Sequence, residues 1–193
     1  MSGGPPQGQA EQLLAEIARL KDDLIRAERR IAELEARADV DPLLDILNRR
    51  GFERELRRSL AFVARYGTQA ALLYIDLDGF KVVNDRHGHA AGDALLKAVA
   101  RELTARVRAS DVVGRLGGDE FGVLLWHVGD TLAAGKAREL EECIASAKIA
   151  HGAAQLSVGA SAGMAALRGD LDAAALLDAA DKAMYARKKD RRA

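Results

Sequence analysis

Two acidic groups in this chain have the residue types and spacing to do chemistry. One is the run Gly117-Gly118-Asp119-Glu120-Phe121; the other is Asp76, which closes the apolar run Ala70-Ala71-Leu72-Leu73-Tyr74-Ile75, with Asp78 two residues further on. Paired glycines at a turn allow positive φ and, lacking Cβ, let a ligand approach the backbone. Carboxylates directly after them are placed to hold a cation against whatever that backbone cradles. The pattern points to a nucleotide-phosphate site with a divalent metal. A carboxylate at the end of a buried strand is costly to desolvate unless its charge is met. A cation shared with Asp119 and Glu120 would meet it; a helix N-cap before Phe80 or a salt bridge are the structural alternatives. Asp78 lies on the same side of an extended strand, where it could touch the metal or cap the helix expected near Gly79.

The elements that must position these groups follow from the surrounding pattern. Val112-Val113 before the glycines and Val123-Leu124-Leu125-Trp126 after them read as a β-hairpin with a glycine-rich tip. The unbroken apolar run ending at Asp76 reads as a buried central strand. A helix carrying Phe52, Leu56, Leu60 and Phe62 precedes it, ending at the turn Tyr66-Gly67-Thr68. Further helices are expected at about 93–107, 131–148 and 173–188, with a strand region at about 156–166. Cys143 falls in one of these helices as a small buried side chain. The order mixes hairpin and crossover connections, which argues for an α+β domain with helices around one sheet.

The N-terminal part is of another kind. Residues 1–10, rich in Gly, Pro and Gln, read as disordered. Between Glu11 and Ala38 there is neither proline nor glycine, and Leu13, Leu20, Ala27 and Leu34 alternate with Ile17, Leu24, Ile31 and Ala38 in steps of four and three. This seam suits a parallel two-stranded coiled coil over 11–40. In such a dimer Glu16 faces Lys21 and Arg30 faces Glu35, while Asp23 opposite Glu28 repels; each exposed pair is worth only about 0–1 kcal/mol, so the apolar seam decides. A single amphipathic helix lying on its own domain is the alternative and would need a wider apolar stripe. Near Asp39-Val40-Asp41-Pro42 the proline suits the start of a new helix and marks a boundary, with one domain expected over 41–193.

Composition narrows the partners. The 29 basic and 29 acidic residues balance to a formal charge of zero, so nothing in the overall balance argues for nucleic acid or an anionic membrane, and neither is expected as a partner. The one cysteine excludes an internal disulfide and fits a reducing compartment. No apolar run approaches the ~20 residues of a membrane span, and the N-terminus lacks the form of a secretory signal. A cytoplasmic location is expected.

Several ordered motifs carry a resemblance. Arg115-Leu116-Gly117-Gly118-Asp119-Glu120-Phe121 resembles the signature of GGDEF domains, the diguanylate cyclases. Asp41-Pro42-Leu43-Leu44-Asp45-Ile46-Leu47-Asn48-Arg49-Arg50 resembles their opening motif, departing from it where Leu44 and Asp45 replace the usual threonine and glycine. Asp76-Leu77-Asp78-Gly79-Phe80-Lys81, with Asn84-Asp85-Arg86-His87-Gly88-His89 and Gly92-Asp93, is similar to the second large motif. Asp181-Lys182-Ala183-Met184-Tyr185 resembles the closing stretch, and Ser161-Ala162-Gly163-Met164-Ala165 a family strand that is assigned to packing.

The resemblance implies a ferredoxin-like core of the nucleotidyl cyclase and polymerase palm type. It implies condensation of two GTP to cyclic di-GMP with release of two pyrophosphates, in a dimer that brings two half-sites face to face. Mg²⁺ or Mn²⁺, two per site, would be held by Asp76, the Leu77 carbonyl, Asp119 and Glu120. Asp119, Glu120 and Lys81 would be the catalytic set, with Asp119 assisting deprotonation of the 3′-hydroxyl unless metal ligation suffices. GTP would be bound by Asn84 and Asp93 at the guanine, and by Phe80, Gly117, Gly118, Lys188 and Arg192 elsewhere. The glycine usual between the last two is replaced by Arg191, and a solvated basic helix end is the other reading of Arg192. Arg108 and Asp111 resemble the inhibitory site that binds product, against the alternative of a helix-terminal salt bridge. His87 and His89 are read as structural, His89 beginning the next helix. A non-catalytic cyclic di-GMP receptor and a dimerising scaffold are the rival functions.

Overall fold

The structure is a computed structural model that describes residues 12–26, 39–152 and 154–190. It divides into two units at Ala38 and Asp39. Of the first, residues 12–26 form a helix, α1, on which Leu13, Leu14, Ile17, Leu20, Leu24 and Ile25 are exposed. The remaining seam positions Ala27, Ile31, Leu34 and Ala38, and the disordered start expected at 1–10, lie outside the described residues, as does Arg192.

The second unit opens with a turn where a helix was expected at Pro42. The Asp41 carboxylate accepts from the amides of Leu43 and Leu44 at 2.9 and 3.0 Å, and short bridges join Val40 to Leu47 and Leu47 to Gly114. Asp45 sits at φ 55°. This is where the resembling family has glycine, and a short acidic side chain is among the few that tolerate the left-handed region. The departure in sequence therefore leaves the turn intact. Helix α2 (Arg49–Tyr66) starts only at Arg49, where Asn48 accepts from the Gly51 amide at 3.0 Å.

The elements after α2 run β1 (Ala70–Asp78), α3 (Phe80–His87), α4 (His89–Ala105), β2 (Val112–Arg115), β3 (Glu120–Trp126), α5 (Asp130–Ser146), β4 (Ile149–His151), β5 (Ala154–Leu156), β6 (Gly159–Ala166) and α6 (Ala173–Asp190). The expected strand region at 156–166 is two strands. The short β5 pairs with β4, and the main sheet has the order β2-β3-β1-β6 with every neighbour antiparallel. Two β-α-β crossovers around a central hairpin give the ferredoxin-like topology. His89 does begin α4.

The central strand β1 is apolar from Ala70 to Ile75 because both of its faces are covered there. Leu73, Ile75 and Leu77 join Phe121 and Val123 under α4 and α5, while Leu72, Tyr74 and Leu124 lie against Phe52, Leu56 and Leu60 of α2 and Leu176, Ala180 and Met184 of α6. Helix α6 lies close on β6: a Cβ at Gly163 would clash with the backbone of Ala180 and Met184. Among the described residues no helix is long and apolar enough to cross a membrane.

Candidate active site

Strand alternation sets the first row of the site. Asp76 on β1 stands opposite Glu120 on β3 and Ser161 on β6, all on the face that carries α2 and α6. Two carboxylates directly opposite on paired strands repel unless a positive group lies between or beside them. Asp119 adds to that repulsion. Burial first, and then the charge of Asp76, raises its pKa above the usual carboxylate value.

The positive group supplied by the chain itself is Lys188, near the end of α6. Its ammonium pairs with Asp76 and lies 3.2 Å from Asp78. Burial works against the charged lysine, but its bonds to Asp76 and Asp78 outweigh this and leave its pKa above the ordinary value. The salt-bridge alternative for Asp76 is thus the one realised here. Asp78 does not cap α3, whose first residue follows Gly79 at φ 85° with no side-chain cap. Instead it accepts from the Ser161 hydroxyl at 2.8 Å, so Ser161 is more than packing. No local sequence signal marks this pairing.

Among the described residues no three His, Cys, Asp or Glu side chains converge as a ready metal cluster. The donor set nevertheless fits a hard divalent cation: Asp76 and Glu120 are cross-strand neighbours, Asp119 shares their field, and all donors are oxygen. The Leu77 amide donates to the Asp119 carbonyl at 3.1 Å. In an antiparallel strand the carbonyl of the same residue faces the same edge, so Leu77 turns its carbonyl toward the signature turn.

That turn is closed by the Glu120 carbonyl, which accepts from the amides of Leu116 and Gly117 at 2.8 and 3.4 Å. Neither Gly117 nor Gly118 has positive φ, which corrects the expectation drawn from a glycine tip. The two glycines differ in the space beside them. A Cβ at Gly117 would clash with the Glu120 carboxylate, whereas at Gly118 it would meet nothing within 4 Å. Gly118 is therefore the open backbone of the pair. Burial first, and then the Glu120 charge, raises the pKa of the buried Tyr74 hydroxyl.

Arginines hold the turn from behind. Arg49 donates to the Leu116 carbonyl at 2.7 Å. Arg115 donates to the carbonyls of Gly117 and Gly118 at 3.0 and 2.8 Å, and pairs with Asp41 at 3.1 Å. The opening turn of the domain is thereby tied to the signature.

The guanine-reading candidates sit on the α3–α4 pair. Asn84 on α3 is half-buried, and its Oδ1 has no hydrogen-bond partner, an acceptor left for a ligand to satisfy. Gly92 lets α4 close upon it, since a Cβ there would come within 3.2 Å of Phe80 and clash with Asn84. Asp93 follows directly and is exposed, as is Lys81, while Phe80 is buried.

Arg108 and Asp111 lie apart from this site, in the turn between α4 and β2. Both Asp111 oxygens accept backbone amides, from Arg108 at 2.9 Å and Trp126 at 3.0 Å. A cavity of about 210 Å³ there is lined by Arg106, Arg108, Asp111, Trp126 and Lys136. Asp111 thus orders the turn beside a cavity that three cationic side chains help to line.

The family described as diguanylate cyclase, GGDEF domain, matches residues 38–193. The chain belongs to the GGDEF family. The GGDEF chain is 38% identical over 199 residues to the diguanylate cyclase TpbB of Pseudomonas aeruginosa, covering 97% of this chain and 45% of that one. A sensory box/GGDEF family protein of Caulobacter crescentus has a crystal structure that superposes with a TM-score of 0.74 at 39% identity, covering 79% of this chain and 99% of the other. The coiled coil and GGDEF domain of DgcB from Caulobacter crescentus, solved in complex with c-di-GMP, gives a TM-score of 0.78 at 25% identity, covering 92% and 94%. The chain spans less than half the length of the curated relatives it matches. Diguanylate cyclases with GGDEF domains generally depend on divalent metal.

Proposed function

We propose that this GGDEF domain is an active diguanylate cyclase that joins two GTP molecules into cyclic di-GMP and releases two pyrophosphates. The observation that carries this reading is the Glu120–Asp76 cross-strand pair with Asp119 beside it, a concentration of negative charge that the fold maintains at the open end of the sheet. Such a cluster is destabilising without a cation and fits phosphoryl transfer with one.

In this reading Asp76, Glu120, Asp119 and the Leu77 carbonyl hold Mg²⁺ or Mn²⁺, two per site. The metal would polarise the α-phosphate and lower the pKa of the attacking 3′-hydroxyl. Asn84 accepts from the guanine edge with its free Oδ1, and Asp93 accepts from the same edge. Gly118 offers unobstructed backbone to the phosphates, and Lys81, Lys188 and Arg192 supply positive charge. Asp119 is the candidate acceptor of the 3′-hydroxyl proton.

Because one GTP attacks another, two domains must meet. A parallel coiled coil that ends before Asp39, where Val40 already bridges to Leu47 in the second unit, with the exposed Leu13, Ile17, Leu20 and Leu24 as its seam, would raise the effective concentration of one half-site at the other. DgcB, which carries a coiled coil beside its GGDEF domain, supports this arrangement. Arg108 with Asp111 would bind the product as a brake, and the reducing compartment expected for the free Cys143 is the cytoplasm.

Incubating the full chain with GTP and Mg²⁺ and separating the nucleotides tests the proposal. Cyclic di-GMP and pyrophosphate are expected in a 1:2 ratio. Cyclic di-GMP binding without synthesis would instead identify a receptor, and neither would leave a scaffold.

A further inference from the structure

Lys188 does something that binding a triphosphate does not explain: it occupies the negative site itself. Its side chain and that of Asp76 are each only 18% exposed, so the pair is largely withdrawn from water. Asp78, 3.2 Å away, is the second carboxylate around the ammonium, and Ser161 steadies it from β6 at 2.8 Å. The helix turn that carries Lys188 is fixed independently. The neighbouring Arg187 pairs at 2.7 Å with Glu141 of α5, a carboxylate only 2% exposed that also accepts the Ala162 amide at 2.8 Å.

With the helix anchored, only the flexible four-carbon stem of Lys188 needs to move for its ammonium to change partners. Asp76 cannot give the same oxygens to an ammonium and to a dication without strong repulsion between the two cations. Phosphate oxygens would offer the ammonium another anion to pair with.

We propose that Lys188 is a built-in competitor of the divalent metal for Asp76, with Asp78 and Ser161 as its second berth. Metal binding is then weak while the lysine rests on Asp76, and it strengthens when a triphosphate or Asp78 draws the ammonium away. Metal and nucleotide binding become positively coupled through one side chain. Asp78 is a positioning residue that acts through Lys188 and not a metal ligand. The inference rests on Asp76 as a metal ligand, the reading put forward above.

The test uses the full 193-residue chain, freed of metal, without nucleotide, titrated with Mn²⁺ alone while free Mn²⁺ is followed by electron paramagnetic resonance. Lys188→Met is expected to bind Mn²⁺ about tenfold more tightly than the wild type, and Lys188→Gln to do the same. Asp78→Asn is expected to weaken Mn²⁺ binding in the wild-type background and to have no effect in the Lys188→Met background. Circular dichroism and thermal unfolding confirm that each variant is folded. Lysine variants that bind no more tightly, or an Asp78→Asn loss that persists without Lys188, overturn the proposal. Asp76→Asn tests the reading beneath it: undiminished Mn²⁺ binding by that variant removes both, whereas its loss together with unchanged lysine variants removes only the competition.

Discussion

The tie between the opening turn and the signature can be broken at one side chain, Arg115. Its guanidinium spans Asp41 at 3.1 Å, the Gly117 carbonyl at 3.0 Å and the Gly118 carbonyl at 2.8 Å, with side-chain exposures of 20% for Arg115 and 12% for Asp41. Arg115→Ala removes a charge-assisted pair and leaves one oxygen of Asp41 without its counter-charge. The other oxygen keeps its two amide donors, and the freed glycine carbonyls can turn to water. Hydrogen bonds to charged groups contribute about 1.5–3 kcal/mol each when well shielded. Partial exposure reduces this, so a total loss of about 2–3 kcal/mol is expected, or about 4–12 °C in Tm for a domain of this size. Asp41→Asn alone should cost about 1 kcal/mol, and the double-mutant cycle should return a coupling of at least about 0.5 kcal/mol. Arg115→Lys keeps the charge but not the fork and should fall between. Urea unfolding measures the wild type and all four variants, and GTP turnover below the transition should fall at least about tenfold in Arg115→Ala as the Gly117–Gly118 pose loosens. A coupling indistinguishable from zero, with turnover preserved, would refute the argument.

Three further outcomes are expected. Removing residues 1–38 should lower specific activity and make turnover rise steeply with protein concentration; full, concentration-independent turnover would end the dimerising role of the coiled coil. Arg108→Ala should relieve inhibition by added cyclic di-GMP while leaving the initial rate in place, and equal inhibition of both proteins would remove the assignment of that site. Asp119 has a folded pKa raised above its ordinary 3.8. It therefore favours the fold below that value and loses this contribution as pH rises through the folded pKa. In metal-free buffer Asp119→Asn should accordingly raise Tm at pH 7, the gain closing as pH approaches the ordinary carboxylate value; a gain that persists at low pH would mean that its cause is not charge.

How much of this could be read in advance differs from residue to residue. The hairpin around Gly117, the buried strand ending in Asp76 and the α+β order were legible because each depends on near neighbours and on periodicity. The start of α2 was misplaced by reading Pro42 as a helix opener. The Asp41 carboxylate instead folds the chain into a turn by capping two amides. The glycines of the signature were expected to supply positive φ, yet neither has it, and at Gly117 the Glu120 carboxylate folds back into the space a Cβ would take. That is a contact between a backbone and a side chain, which local propensity does not encode.

The pairing of Asp76 and Asp119-Glu120 as one acidic site followed from the chain alone, since two strand ends rich in carboxylate have few ways to be tolerated apart from sharing a cation. Which cation stands there was decided in three dimensions. Lys188 reaches Asp76 only because β6 lies beside β1 and Gly163 lets α6 settle onto β6, while Ser161 and the Arg187–Glu141 pair hold the surrounding groups. A long charged side chain can satisfy itself in many ways, and its choice among distant carboxylates is set by the packing of backbones that bring them within a few ångströms.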